Sequence, residues 1–446
     1  MFAFLCFEWQ RIFREKKNLI FFAFISFLSA YFVWSGLNEY RQFQIEKRIF
    51  LKFEEEKVKQ FTTYVQYGTF GFRLLLEASP LNLFFANSSI LQDVESNVDG
   101  FEAIRVDSSF KGNKLFLKRG FFKDFAGILF VFGSLLMLYL GNLALTSPAY
   151  LRFMKGCMSL KKFYLLTTAA RLFWLNLFFM ALGMGMFLLV HLGGCAFSRG
   201  DTAIFLRYMF FLILLLDFFY LLGQFTAVLV GFHRVFFLWL FIAWFVSVFL
   251  LPEMSRISVF NESRTLESAE KVNLEKFRNL MALEKKFRDY LKLNPSTPLD
   301  QIRQMQKKFA VQFINSSYLV NTSLETKYLR EVERVIAAHE RQSIVFPTTY
   351  YQFVTGEVSG KGYYGYLDFM DDIMKLRNRF IQFYLKKRYE ETDAPVESFV
   401  KNDENIFRAR SRLPGSFRFG MLVTALYCAA LFILAFWRLR RLVFMP

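Results

Sequence analysis

Long apolar runs alternate along this chain with stretches as charged as any soluble domain, and that blocking predicts the first elements. A helix that crosses a bilayer places about 20 mostly apolar residues in the hydrocarbon, because lipid offers no partner to an unpaired backbone group. Six segments meet that condition, at residues 18–35, 124–146, 169–191, 205–230, 235–251 and 418–437. Lys16 and Lys17 stand at the entry of the first and Tyr31 and Trp34 near its exit, as interfacial anchors do. The third is led in by an apolar stretch from Phe163 that contains Arg171. Asp217 sits inside the fourth, Pro252 ends the fifth, and Arg438, Arg440 and Arg441 follow the sixth at once.

Cations in short connections mark the cytosolic side. Arg11, Arg14, Lys16 and Lys17 place the amphipathic segment 1–17 inside. Arg152, Lys155, Lys161 and Lys162 do the same for 147–168, as do Arg234 and the basic tail 438–446. Lys118, Arg119 and Lys123 argue the other way, but they end a long loop, where the charge rule is weak, and the parity of six spans outweighs them. Both termini are therefore expected in the cytosol. No small-residue cleavage pattern follows Trp34, so the first apolar segment reads as an anchor.

Two outer domains are then expected. Residues 36–120 open with a charged stretch through Lys59 that continues the first helix, then turn to strands: Phe101–Asp107 and Leu115–Lys118 flank a Gly112-Asn113 hairpin signal, which makes this domain α+β. Residues 253–414 carry amphipathic helical stretches at 272–293, 299–313, 324–339 and 366–389. Pro295, Pro298, Pro347 and the glycines from Gly356 to Gly365 punctuate them, so this domain is expected to be mostly helical. The fold class expected is an α-helical integral membrane protein.

Composition agrees: 54% of the 446 residues are hydrophobic and 20% aromatic, more than a soluble chain normally carries. The net charge of +18 reads as topology and contact with anionic lipid, with no nucleic-acid motif behind it. The four cysteines, Cys6, Cys157, Cys195 and Cys428, put only Cys195 outside and give no disulfide framework. The sequence has no phosphate-binding Gly-x-x-x-x-Gly-Lys-Ser/Thr loop, no His-Glu-x-x-His, no Cys-x-x-Cys and no Gly-x-Ser-x-Gly. His191, His233 and His339 lie far apart, so no metal site is expected. Four glycosylation-type triplets, starting at Asn87, Asn261, Asn315 and Asn321, are what chance supplies.

An ionisable group at mid-helix should not face lipid. Asp217 is therefore either part of a polar substrate path with Gln224 and Asn142, or a protonated or hydrogen-bonded acid tying two helices together. At the N-terminus, Phe2, Leu5, Cys6, Trp9 and Phe13 form one helical stripe with Glu8, Arg11 and Glu15 opposite. That is an interfacial helix, which anchors in headgroups or docks a partner, with Trp9, Arg11 and Phe13 as its marker residues. The connection 147–168 mixes cations with Leu151, Phe153, Met154, Met158 and Phe163, a composition suited either to a partner's groove or to lipid headgroups.

This order of parts resembles the permease subunits of ABC-2-type transporters: the amphipathic "FEWQRIFREKK", six spans, and the connection "NLALTSPAYLRFMKGCMSLKKFYLLTTAARL" between the second and third. Ser159 to Lys162 matches the Ser-Arg portion of that connection, while Asn142 to Ser147 replaces the family's acidic residue and Gly-Thr. The segments "YVQYGTFGFRLLLEASPLNLFF", "FKDFAGILFVFGSLLMLYLGNLAL", "FPTTYYQFVTGE" and "RARSRLPGSF" resemble a subgroup with large extracytoplasmic insertions that is catalogued as a domain of unknown function. The resemblance implies no cofactor on this chain, with ATP and Mg on a separate ABC ATPase subunit. It also implies a second permease copy or paralogue, and a bacterial cytoplasmic membrane as the location. Residues 147–168 would be the coupling segment, touching the ATPase through Arg152, Lys155, Lys161 and Lys162, and residues 1–17 the connecting helix. A membrane-anchored binding or scaffold protein is the alternative, and it predicts no ATPase partner. An ion-driven transporter would show several intramembrane charges and an internal repeat, and neither is found.

Overall fold

The computed structural model describes residues 2–85, 95–98, 124–146, 159–230, 236–263, 269–293, 298–389, 395–400 and 405–442. It is mostly helical, and six of its helices are long and apolar enough to cross a membrane. Helix α1 (Phe2–Phe13) turns at once into α2 (Lys16–Lys59), which is apolar to Trp34 and charged beyond it. At about 1.5 Å per residue such a helix is roughly 66 Å long, twice the hydrocarbon thickness, so its second half stands clear of the apolar layer. Arg41 on that half donates to the Gly193 carbonyl at 2.9 Å. This fixes the short connection between α7 (Leu160–Leu192) and α8 (Arg199–Val230) on the same side.

After α3 (Tyr64–Phe70), β1 (Phe72–Glu77) pairs antiparallel with β2 (Glu95–Val98), with Phe72 opposite Val98, and parallel with β3 (Ile406–Arg408), with Leu75 opposite Ile406. The sheet order β2-β1-β3 therefore joins the segment after the first span to the segment before the last. Ser411 bonds Ser79 at 2.6 Å, and the Tyr64 hydroxyl donates to the Pro395 carbonyl at 2.9 Å, so these two segments pack as one body. The hairpin expected over 101–118 lies outside the described residues.

Helix α4 (Asn82–Phe85) packs on α5 (Phe125–Ile128), which runs through a π-helical turn (Leu129–Gly133) into α6 (Ser134–Thr146). The fifth apolar helix does not stop at Pro252 as expected: α9 (Phe236–Phe245) passes through a second π-turn (Val246–Leu250) into α10 (Leu251–Ser263). A proline removes one donor and crowds the carbonyl four residues back, and the wider π-turn directly before it accommodates both defects.

The stretches expected as two helices at 299–313 and 324–339 form one helix, α12 (Leu299–Ser343), paired with α11 (Ala269–Leu293). The polar run between them lowers helix propensity but contains no proline or glycine to break it. Glu325 on α12 and Arg377 on α14 (Tyr363–Tyr389) form a buried two-bond ion pair at 2.9 and 2.7 Å. Helix α13 (Pro347–Val358) is buried along nearly its whole length against α8, α10, α12, α14 and the last helix, α15 (Phe417–Leu442). It is locked to the apolar helices by the Tyr351 hydroxyl, which donates to the Ala126 carbonyl at 2.9 Å and meets the Tyr208 hydroxyl at 2.5 Å.

Candidate functional site

Among the described residues, α7 takes part in three polar crossings between the apolar helices. At its N-terminal end, Thr168 and Gln224 bond one another at 2.9 Å, and Gln224 reaches the Tyr220 hydroxyl at 3.3 Å. One turn on, the Arg171 guanidinium donates to Glu8 of α1 at 2.7 Å and to the Leu140 carbonyl of α6 at 3.2 Å, and it faces the Tyr220 hydroxyl of α8. Both side chains of this pair are sealed, 3% and 0% exposed, so the ion pair sits in low dielectric where its partners decide its fate. Further along, the Asn176 amide donates to Asp217 at 3.2 Å.

Glu8 is thus on the inner face of α1, not on the outer face assigned to it from the stripe. The cause is Arg171: a guanidinium set among apolar helices takes the nearest acid, and Glu8, with Ile12 one turn on, points at α7. Phe7 and Trp9 are half-exposed beside them. Trp9 also rests on Trp174 with ring centroids 4.6 Å apart, and Phe13 stacks on Phe22 at 4.8 Å. The Trp174 indole donates to the Leu5 carbonyl at 3.0 Å, and Arg11 approaches Glu8 at 3.8 Å. Pattern reading missed Glu8, though Arg171 in an otherwise apolar stretch was the signal that an acid must come to it.

Of the three residues expected to line a path, two are bonded between helices, while the third, Asn142, is buried with its Nδ2 lacking a hydrogen-bond partner. Asp217 and Gln224 both bridge α8 to α7, and Asn142 is buried on α6 against α8. The backbones of α6 and α8 nearly touch there: a methyl group at Gly141 would lie 2.0 Å from the Tyr220 carbonyl oxygen, and one at Gly223 would lie 2.2 Å from that of Leu138. Of the coupling cations, Lys161 and Lys162 are exposed in the first turn of α7, whereas Arg152 and Lys155 lie outside the described residues.

A second polar cluster lies toward the opposite end of α8. Tyr208 and Gln224 are sixteen residues apart on that helix, about 24 Å at 1.5 Å per residue. Here Glu340 accepts from the Tyr364 hydroxyl and from both the backbone and the hydroxyl of Ser416, while Glu357 faces Arg412 at 3.5 Å. Arg412 also pairs with Asp368 at 3.0 Å and lies 4.8 Å from the Tyr364 ring centre. Gly362 gives the turn room, since a methyl group there would fall 2.4 Å from a Glu357 carboxylate oxygen. The sequence motifs around Tyr350 and Ser411, distant in the chain, meet at this junction.

Burial pushes Glu357 up to about 7, with Arg412 pulling the other way, and pushes His339, boxed by Phe353 and Tyr363, down to about 4. An acid with a raised folded value contributes stability that is full below its unfolded value of 4.5 and is lost as pH rises through about 7. His339 runs the other way: its contribution is full above 6.5 and is lost as pH falls through about 4. Glu357→Gln keeps the shape of the neutral acid, so its melting temperature relative to wild type should climb between about pH 5 and about pH 8. A difference that stays flat across that window contradicts the assignment.

Comparison with family models, with curated proteins and with solved structures gives no match.

Proposed function

We propose that this chain is the membrane-spanning permease subunit of an ABC-2-type transporter in a bacterial cytoplasmic membrane. ATP and Mg would be bound by a separate ATPase subunit, and a second permease copy or paralogue would complete the complex. The observation that carries the reading is the buried Glu8–Arg171 pair. A helix that only rests in headgroups keeps its charges in water. Helix α1 instead buries an acid on a cation that also holds α6 and faces α8, so a push on α1 is a push on three spans. That is the mechanical requirement for a chain whose energy is released on another subunit. ATP-driven movement then shifts the spans between two arrangements, because the partner contacts α1 and 147–168 differently in each.

Photo-crosslinkers placed at Phe7 and Gln10, on the exposed side of α1, test the assignment in the native membrane. The expected adduct is with a protein that carries a phosphate-binding loop. Adducts with lipid alone would move the weight to a membrane-anchored binding protein, whose working part is the outer body built on β2-β1-β3.

A further inference from the structure

The contact between Asn176 and Asp217 is half-made, and the missing half has the stoichiometry of one proton. Asn176 Nδ2 donates to Asp217 Oδ2 at 3.2 Å. The other oxygen on each side, Asp217 Oδ1 and Asn176 Oδ1, is buried without a hydrogen-bond partner. Two acceptors cannot satisfy each other, and buried polar atoms in folded proteins are rarely left so. A proton on Asp217 Oδ1 converts it to a donor toward Asn176 Oδ1, and the acid and the amide then close a ring of two hydrogen bonds.

Nothing else facing Asp217 among the described residues supplies that hydrogen or balances a carboxylate. From α15, Cys428 faces it, but its thiol is directed to the Leu214 carbonyl at 3.6 Å. From α7, the nearest cation is Arg171, already committed to Glu8. Toward the π-turn that precedes α6, the residue beside Asp217 is Leu216, which packs with Phe179 around Gly133. An unbalanced carboxylate inside a span is what such an environment disfavours.

We infer that Asp217 is a proton-binding site within the spans, held as the neutral acid in a two-bond ring with Asn176 that ties α8 to α7. Losing the proton removes one of the two bonds and leaves a charge at the seam, so proton occupancy biases how readily α7 and α8 part. This goes beyond the transporter reading and stands whether or not an ATPase partner exists.

The test is infrared spectroscopy at neutral pH on the full chain in liposomes, with aspartate carboxyls labelled with carbon-13. The expected result is a hydrogen-bonded carboxylic acid C=O band that is lost in Asp217→Asn, whose carboxamide keeps the two-bond ring and hence the fold. In Asn176→Leu the same band shifts to higher frequency, because a bond to it is gone; this arm reads the site without altering Asp217. A wild-type minus Asp217→Asn difference that contains only carboxylate bands overturns the inference. So does an acid band that Asn176→Leu leaves in place.

Discussion

Arg171→Leu is expected to destabilise the protein by about 3–5 kcal/mol and to free α1 from the spans. The cost comes less from the lost attraction than from what remains: Glu8 is left charged, sealed from water and without its main partner. The double variant Glu8→Leu/Arg171→Leu should recover most of the loss, since apolar packing of similar volume commonly replaces a buried pair at little cost. Melting temperature and maleimide labelling of Cys6, part-buried on the same helix, report the two effects separately. Labelling should speed up in the single variant and return toward wild type in the double. A single variant as stable as wild type would mean that α1 is held by its aromatic contacts alone.

Gly141→Leu is expected to leave no folded protein, whereas Gly185→Leu should be neutral. Overpacking a core usually costs about 1–3 kcal/mol because side chains shift to relieve it. At Gly141 the obstacle is the Tyr220 carbonyl, 2.0 Å from the new carbon, so two helices must separate along their seam. That seam also holds Tyr220 under Arg171 and Gln224 under Thr168, so separation spreads to the polar crossings. At Gly185 nothing lies within 4 Å. Yield of monodisperse protein and its melting temperature read the contrast, and equal behaviour of the two variants would contradict the close α6–α8 packing.

The six apolar helices were legible because each is a long block of one character, and the continuation of the first span to Lys59 was legible because, past the single Gly36, no proline interrupts it. What pairs at long range was not. The parallel β1–β3 pairing sets Leu75 against Ile406, and no local pattern in a three-residue strand announces a partner in a segment so distant. The facing of Glu8 was misread because hydrophobic periodicity treats every charge as outward, whereas a cation inside the bundle reverses that rule. Asp217 was legible as a residue that needs a partner, but its partner Asn176 is an uncharged side chain among many on α7 and carries no mark in sequence. Pro252 reads as a stop because pattern rules assume α geometry, and a π-turn lies outside them.

The central claim, that this chain moves on energy released elsewhere, is tested most directly by purifying it in mild detergent from its native membrane and assaying ATP hydrolysis in the eluate. An Arg152/Lys155/Lys161/Lys162→Ala variant is run beside it. The account predicts ATPase activity that accompanies the wild-type chain and falls to background in the variant. Absence of ATPase activity from both preparations would contradict it.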